Sequence, residues 1–172
     1  MKDLVRYGAT LAVICIIAAG LLAGVNALTN SKIISQAQAE EEASLKEVMP
    51  QAVHFEAVKS GTEILYYKAH DKDGKLVGAA FKAAGKGYSS TIETMVGMLA
   101  DGTISSIKVL SQNETPGLGV KVTQPDFTDK FSGKTTDDLS GVQAITGATI
   151  SSRAVINSVQ KKAQEIKALL DK

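Results

Sequence analysis

The protein has 172 residues, of which 44% are hydrophobic, and a formal charge of +1 from 19 basic and 18 acidic residues. This length allows one compact domain of ordinary size with its own core, in addition to one membrane segment. The balanced charge argues against a nucleic-acid-binding surface, which needs a clustered excess of lysine and arginine. The only cysteine, Cys15, lies in an apolar N-terminal run, so the rest of the chain can form no disulfide and no cysteine metal site; we predict no metal site.

The chain begins with a membrane-sized segment. Residues 7–31 contain no charged side chain, and such a run is long enough to cross a hydrocarbon core as a helix. We predict one transmembrane span over roughly residues 7–29, within an anchor segment 1–30. Lys2 and Arg6 precede the span, so the positive-inside tendency places the N-terminus in the cytoplasm and the following domain outside the cytoplasmic (inner) membrane.

A cleaved signal peptide is the alternative interpretation of this segment. Ala37-Gln38-Ala39 has the small residues of a cleavage site. It lies well beyond the end of the apolar run, however, and the run is longer than the apolar region of a typical signal peptide. We therefore favour an uncleaved, single-pass anchor.

The next segments predict a helix followed by a sheet. Residues 31–50 are rich in helix formers and end at Pro50, which a helix rarely passes, so we predict a helical stalk. Asp-Gly pairs at 73–74 and 101–102 are typical of the turns that close β-hairpins. We predict a largely antiparallel meander from these β-like runs: residues 52–58, 63–70, 75–83, 91–99 and 103–111.

The C-terminal third predicts helices that pack on this sheet. A short helix is expected around residues 125–131, followed by a polar loop over 132–141. The closing helix should run from about Ser151 to Leu170, because apolar residues recur there at helical spacing. The predicted fold class is α+β, with one domain over residues 51–172.

The segment before the closing helix has the chemistry of an anion site. We predict that Ser151 or Ser152 caps that helix, which places Thr149 at its start, where unpaired N–H groups and the positive end of the helix dipole favour a negative charge. The simpler interpretation, which composition and spacing alone favour, is that these hydroxyls only shape a tight strand-to-helix turn. The candidate phosphate-binding residues are Thr146, Gly147, Ala148, Thr149 and Ser151.

Two motifs resemble one known family. The sequence Thr-Gly-Ala-Thr at 146–149 resembles the flavinylation motif of FMN-binding domains in the G subunit of the Rnf electron-transport complex and the C subunit of the sodium-translocating NADH:quinone oxidoreductase. Residues 85–119 resemble the family's Gly-Tyr strand, Asp-Gly hairpin and Glu-Thr-Pro-Gly-Leu-Gly loop, in that order. The single span and small size are more similar to the Rnf G subunit than to the usually longer C subunit.

The resemblance implies a function that the residues alone do not establish. It implies that FMN is attached through its phosphate to Thr149 by a separate magnesium-dependent flavin transferase. It also implies a subunit that relays electrons between ferredoxin and NAD with other membrane and iron–sulfur subunits, coupled to Na⁺ or H⁺ translocation by the complex and without a substrate site of its own. The family often has aspartate six residues before the acceptor threonine, whereas this chain has Gln143, which carries no negative charge for the transferase to recognise.

The loop over residues 114–119 is the predicted contact of the flavin ring. Pro116-Gly117 favours a type II turn, and the glycines leave backbone donors free for the polar edge of a ring. Leu118 would pack on the isoalloxazine face, and Tyr88 would stack on the ring or shield the phosphate, unless it is only a half-buried strand aromatic. The predicted contacts are Tyr88, Glu114, Thr115, Pro116, Gly117, Leu118 and Gly119.

Two other functions stay open from the sequence. One is a stand-alone anchored FMN domain for extracytoplasmic electron transfer, which would not purify with other membrane subunits. The other is a non-redox module whose helix start binds an anion or a partner, and this module would stay colourless in the presence of a flavin transferase.

Overall fold

The computed structural model describes residues 2–61 and 63–170. The chain divides into two compact units, residues 1–41 and 42–172. Met1, the first residue of the predicted anchor, lies outside the described residues. Residues 62 and 171–172 of the predicted domain also lie outside them.

The predicted span and the predicted stalk belong to one helix, α1, which runs from Lys2 to Val48. Within the described residues it is the one helix long and apolar enough to cross a membrane, and the protein buries none of its apolar window. Its large apolar side chains from Leu4 to Ile34 are exposed. Such a continuous exposed apolar surface is typical of a membrane or protein interaction site. The helix ends two residues before Pro50, where the sequence predicts an end.

The second unit contains the predicted antiparallel meander, with the strands in the order β1-β2-β3-β4-β5. Strand β1 begins two residues later than predicted, because the chain turns after α1 and the Ala52 N–H group donates to the Met49 carbonyl at 3.0 Å. The strands are β1 His54–Ser60, β2 Glu63–His70, β3 Leu76–Lys86, β4 Thr91–Leu99 and β5 Ile104–Ser111.

Both faces of the sheet carry a buried apolar cluster, because side chains alternate along each strand. Phe81 of β3 belongs to the larger cluster and Ala80, its neighbour, to the smaller one. The last turns of α1 contribute Leu45 and Val48 to the smaller cluster. The C-terminal helix α3, Thr149–Leu170, covers the other face with the predicted stripe, and its buried apolar residues are Val155, Ile156, Val159, Ala163 and Ile166.

The chain between β5 and α3 brings the candidate site residues to one end of α3. The predicted short helix is confirmed as α2, Pro125–Thr128, followed by a 3₁₀ turn, Asp129–Phe131. The predicted polar loop also contains a 3₁₀ turn, Asp138–Gly141, whose Leu139 is fully buried in the larger cluster. A further 3₁₀ turn, Gly119–Thr123, follows the 114–119 loop.

Candidate functional site

The start of α3 differs from the predicted cap. The helix begins at Thr149, and its first hydrogen bond joins the Ser152 N–H group to the Ala148 carbonyl at 2.9 Å. Ser151 and Ser152 therefore lie inside the first turn, and the prediction that one of them caps the helix is wrong. Both side chains point into the protein, where Ser152 Oγ accepts the Ile145 N–H group at 3.0 Å and donates to the Ala148 carbonyl at 2.8 Å.

The first turn of α3 has backbone N–H groups without a partner in the helix. The N–H groups of residues 149–151 precede the first helical hydrogen bond and so have no acceptor within the helix. Gly147 adopts a φ of +82°, which favours glycine, in a turn closed by the Ala148 N–H group and the Ile145 carbonyl at 3.0 Å. The turn leads directly into Thr149, whose side chain is exposed at the helix start.

The predicted turn in the 114–119 loop is present. The Leu118 N–H group donates to the Thr115 carbonyl at 3.2 Å, and Gly117 stands at the third position with a φ of +75°, as a type II turn requires. Leu118 is 47% exposed at the end of this turn. A Cβ atom on Gly147 would lie 3.4 Å from the Leu118 side chain, so the turn before α3 passes close to Leu118.

Glu114, at the start of this loop, is 5% exposed. Its Oε1 atom accepts the N–H groups of Ser89 and Ser90, each at 3.0 Å, and the Ser90 hydroxyl at 3.4 Å. Its Oε2 atom accepts the Tyr88 N–H group at 3.1 Å and the Ser151 hydroxyl at 2.6 Å. Burial alone would raise the pKa of Glu114, but these hydrogen bonds outweigh it and hold the pKa below its ordinary value.

Tyr88 lies in the turn between β3 and β4, not in a strand, so the expectation of a Gly-Tyr strand is corrected. The turn is closed by the Gly87 N–H group and the Ser90 carbonyl at 2.8 Å. Three of its backbone N–H groups bind the Glu114 carboxylate, which draws the turn towards the start of α3. The Tyr88 side chain is 71% exposed.

These elements enclose a cleft of about 560 Å³, within the range of small-molecule sites. Three exposed apolar side chains line it together with Thr149: those of Tyr88, Leu118 and Ile150. Ile150 was not predicted as a site residue, although the sequence shows a large apolar residue directly after Thr149. The lining consists of Tyr88, Glu114, Thr115, Leu118, Gly119, Gly147, Ala148, Thr149, Ile150 and Ser151.

Three predicted contacts, Thr146, Pro116 and Gly117, lie outside this lining. Thr146 lines a neighbouring hollow of about 390 Å³ together with Gln143, the residue that departs from the family pattern. Two threonines of one short motif therefore face different hollows. Of the two, Thr149 is the one in the cleft.

Comparison with known proteins places the chain in a family. The FMN-binding domain family matches residues 87–164, and the RnfG N-terminal region matches residues 1–48. The G subunit of an ion-translocating oxidoreductase complex from Methanosarcina acetivorans is 34% identical, over 97% of this chain and 96% of that one. The chain belongs to the family of Rnf G subunits.

A second relative agrees with this membership, and a solved structure shares the fold. The G subunit of the Na⁺-translocating ferredoxin:NAD⁺ oxidoreductase complex from Acetobacterium woodii is 32% identical, over 95% of this chain and 91% of that one. The C subunit of the Na⁺-translocating NADH-quinone reductase from Parabacteroides distasonis has a TM-score of 0.50 and 24% identity over 60% of this chain and 61% of that one. Family membership and the apolar helix α1 together indicate a membrane-anchored subunit of an oxidoreductase complex.

Proposed function

We propose that Thr149 carries FMN as a phosphoester and that the cleft beside it holds the flavin ring. The observation that carries this proposal is the position of an exposed threonine hydroxyl at the first residue of α3, inside an apolar-rimmed cleft. The simpler interpretation, a hydroxyl that only shapes the turn before α3, describes Ser152, which joins the Ile145 N–H group to the Ala148 carbonyl, whereas the Thr149 side chain is exposed in the cleft.

The start of α3 fits the phosphate of FMN, and the cleft beside it fits the flavin ring. The free N–H groups of residues 149–151 and the positive end of the α3 dipole favour a phosphate at Thr149. Tyr88, Leu118 and Ile150 offer apolar surface to a flat aromatic ring, and they would otherwise remain exposed to water. Gly147 and Gly119 also line the cleft, and the absence of a side chain on Gly119 leaves room for Glu114 and Ser151 to pack against its backbone.

Attachment requires an activated flavin donor, because an alcohol and a phosphate monoester do not condense spontaneously in water. A flavin dinucleotide meets this need. The Thr149 hydroxyl oxygen bonds to the flavin phosphorus, the phosphoanhydride bond breaks, a nucleoside monophosphate leaves, and the hydroxyl proton passes to a base. A separate flavin transferase would supply that base, because the cleft lining contains no free carboxylate or histidine to do so.

We propose that the protein relays electrons in an Rnf-type complex that couples ferredoxin oxidation and NAD reduction to ion translocation, as the name of the Acetobacterium woodii relative states for that protein. FMN, when bound, accepts and donates electrons one or two at a time. A tether on Thr149 keeps its local concentration high on the side of the membrane away from the cytoplasm. Lys2 and Arg6 before the apolar run support this orientation, with the N-terminus in the cytoplasm.

Co-expression with a flavin transferase tests the attachment. After denaturing electrophoresis, the wild-type band should fluoresce as a flavin does, and Thr149→Val should abolish this signal. Thr149→Ser keeps the hydroxyl and should retain the signal. Thr146→Val is the matched control, since it removes an exposed threonine three residues away that faces the other hollow. A colourless wild-type band, or a fluorescent Thr149→Val band, would exclude the proposed tether.

A further inference from the structure

Glu114 has no acceptor capacity left for a cofactor. A carboxylate offers roughly four lone-pair sites, and the donors of the 88–90 turn together with the Ser151 hydroxyl already occupy them. The group is also enclosed by glycines: a Cβ atom on Gly87 would lie 2.5 Å from Oε1, and one on Gly119 would lie 2.9 Å from Oε2. Although Glu114 belongs to the lining of the cleft, its carboxylate oxygens are therefore committed to protein donors and not to a ring bound there.

The bonds of Glu114 join two separate walls of the cleft. Oε1 and Oε2 bind the turn that carries Tyr88, whose side chain is at the rim. Oε2 also binds Ser151, two residues after Thr149 in the first turn of α3. These partners lie 24 to 37 residues from Glu114 along the chain, so the carboxylate is a long-range connection between elements.

We propose that Glu114 is a positioning residue that fixes Tyr88 relative to the Thr149 end of α3 and so sets how closely the cleft encloses the flavin ring. The inference rests on the proposed function, because it concerns the ring held beside Thr149. It replaces the direct cofactor contact expected of Glu114 from the sequence. An ionised carboxylate has two oxygens and no hydrogen to donate, so it can accept the donors of the turn and the Ser151 hydroxyl together.

Glu114→Gln is the informative variant, because it preserves the size of the side chain. The amide keeps one accepting oxygen, but its NH₂ group faces N–H donors that it cannot satisfy. The turn should then detach while the start of α3 and its exposed hydroxyl remain. Glu93→Gln is the matched control, since Glu93 is an exposed glutamate on β4 outside the cleft lining.

Two readouts on the full chain in detergent test the proposal. Hydrogen exchange of the flavin-free protein follows the amides of residues 88–90. Their exchange rates should be at least tenfold higher in Glu114→Gln than in the wild type, and the same in Glu93→Gln as in the wild type. Fluorescence per attached flavin, measured at a temperature where every variant is folded, reports on Tyr88, because a tyrosine packed on a flavin quenches its emission. Glu114→Gln should brighten the flavin to the level of Tyr88→Leu, and the double variant should be no brighter than Tyr88→Leu alone.

The outcomes separate this inference from the proposed function. Faster amide exchange with unchanged flavin emission would show that Glu114 only stabilises the turn, and would overturn the positioning role. Additive brightening in the double variant would also overturn it, because Glu114 would then act on the flavin independently of Tyr88. A wild-type protein without attached flavin would instead refute the tether on Thr149.

Discussion

The bond between Ser151 and Glu114 should be one of the stronger single interactions of the domain. The two side chains are 2% and 5% exposed, and the hydroxyl-to-carboxylate distance is 2.6 Å. A hydrogen bond to a charged group contributes about 1.5–3 kcal/mol to stability, and the low exposure favours the upper half of this range. We expect Ser151→Ala to lower the free energy of unfolding by about 2.5 kcal/mol. In a Glu114→Ala background the same change should cost almost nothing, because the hydroxyl has already lost its acceptor.

A double-mutant cycle measures this coupling directly. The full chain in detergent is unfolded with urea and followed by circular dichroism, and the four free energies of unfolding are compared at pH 7. Ser158→Ala is the control, because this half-buried α3 serine bonds only the Val155 carbonyl of its own helix in the described structure. Its effect should add to that of Glu114→Ala within about 0.5 kcal/mol. A Ser151–Glu114 coupling within the same margin would refute the structural role assigned to the carboxylate.

Three other changes have defined outcomes. Because the folded-state pKa of Glu114 is lowered, its stabilising contribution is complete above the unfolded-state pKa and is lost as the pH falls through the folded-state pKa. Below about pH 5, the plot of unfolding free energy against pH should therefore be flatter for Glu114→Gln than for the wild type. Equal slopes for the two proteins would contradict this. Gly85→Ala should lower the free energy of unfolding by about 3 kcal/mol, because the new Cβ atom would overlap the Ala154 carbonyl of α3, and an unchanged melting temperature would show that α3 packs differently. In a Cys15→Ser background, Ser132→Cys should react with a membrane-impermeant thiol reagent added outside intact cells, whereas protection until lysis would reverse the proposed orientation.

The sheet and its helices could be predicted from local patterns. The β-like runs indicated the meander together with two Asp-Gly pairs, which mark two of the four connections between the strands, because the chemistry of short turns is local. The stripe on α3 was equally predictable, since Val155 and Val159 recur at helical spacing and both are buried. The same reasoning identified the long apolar helix α1.

The start of α3 could not be predicted locally. Ser151 and Ser152 have the composition of a helix cap, yet their hydroxyls bind Glu114 and the Ile145 backbone, so tertiary partners override the local preference. Glu114 was predicted as a ring contact because it begins a loop that resembles a cofactor loop. The hydrogen bonds that occupy its carboxylate come partly from the 88–90 turn, 24 or more residues away. No local sequence pattern connects that turn to Glu114.

Peptide mapping of protein purified from its native host tests the central proposal most directly. Trypsin should release residues 135–153 as one peptide that contains both Thr146 and Thr149. The proposed phosphoester predicts that this peptide gains the mass of one FMN less one water, and that fragmentation places the addition on Thr149. An unmodified peptide, or an addition on Thr146, would contradict the account.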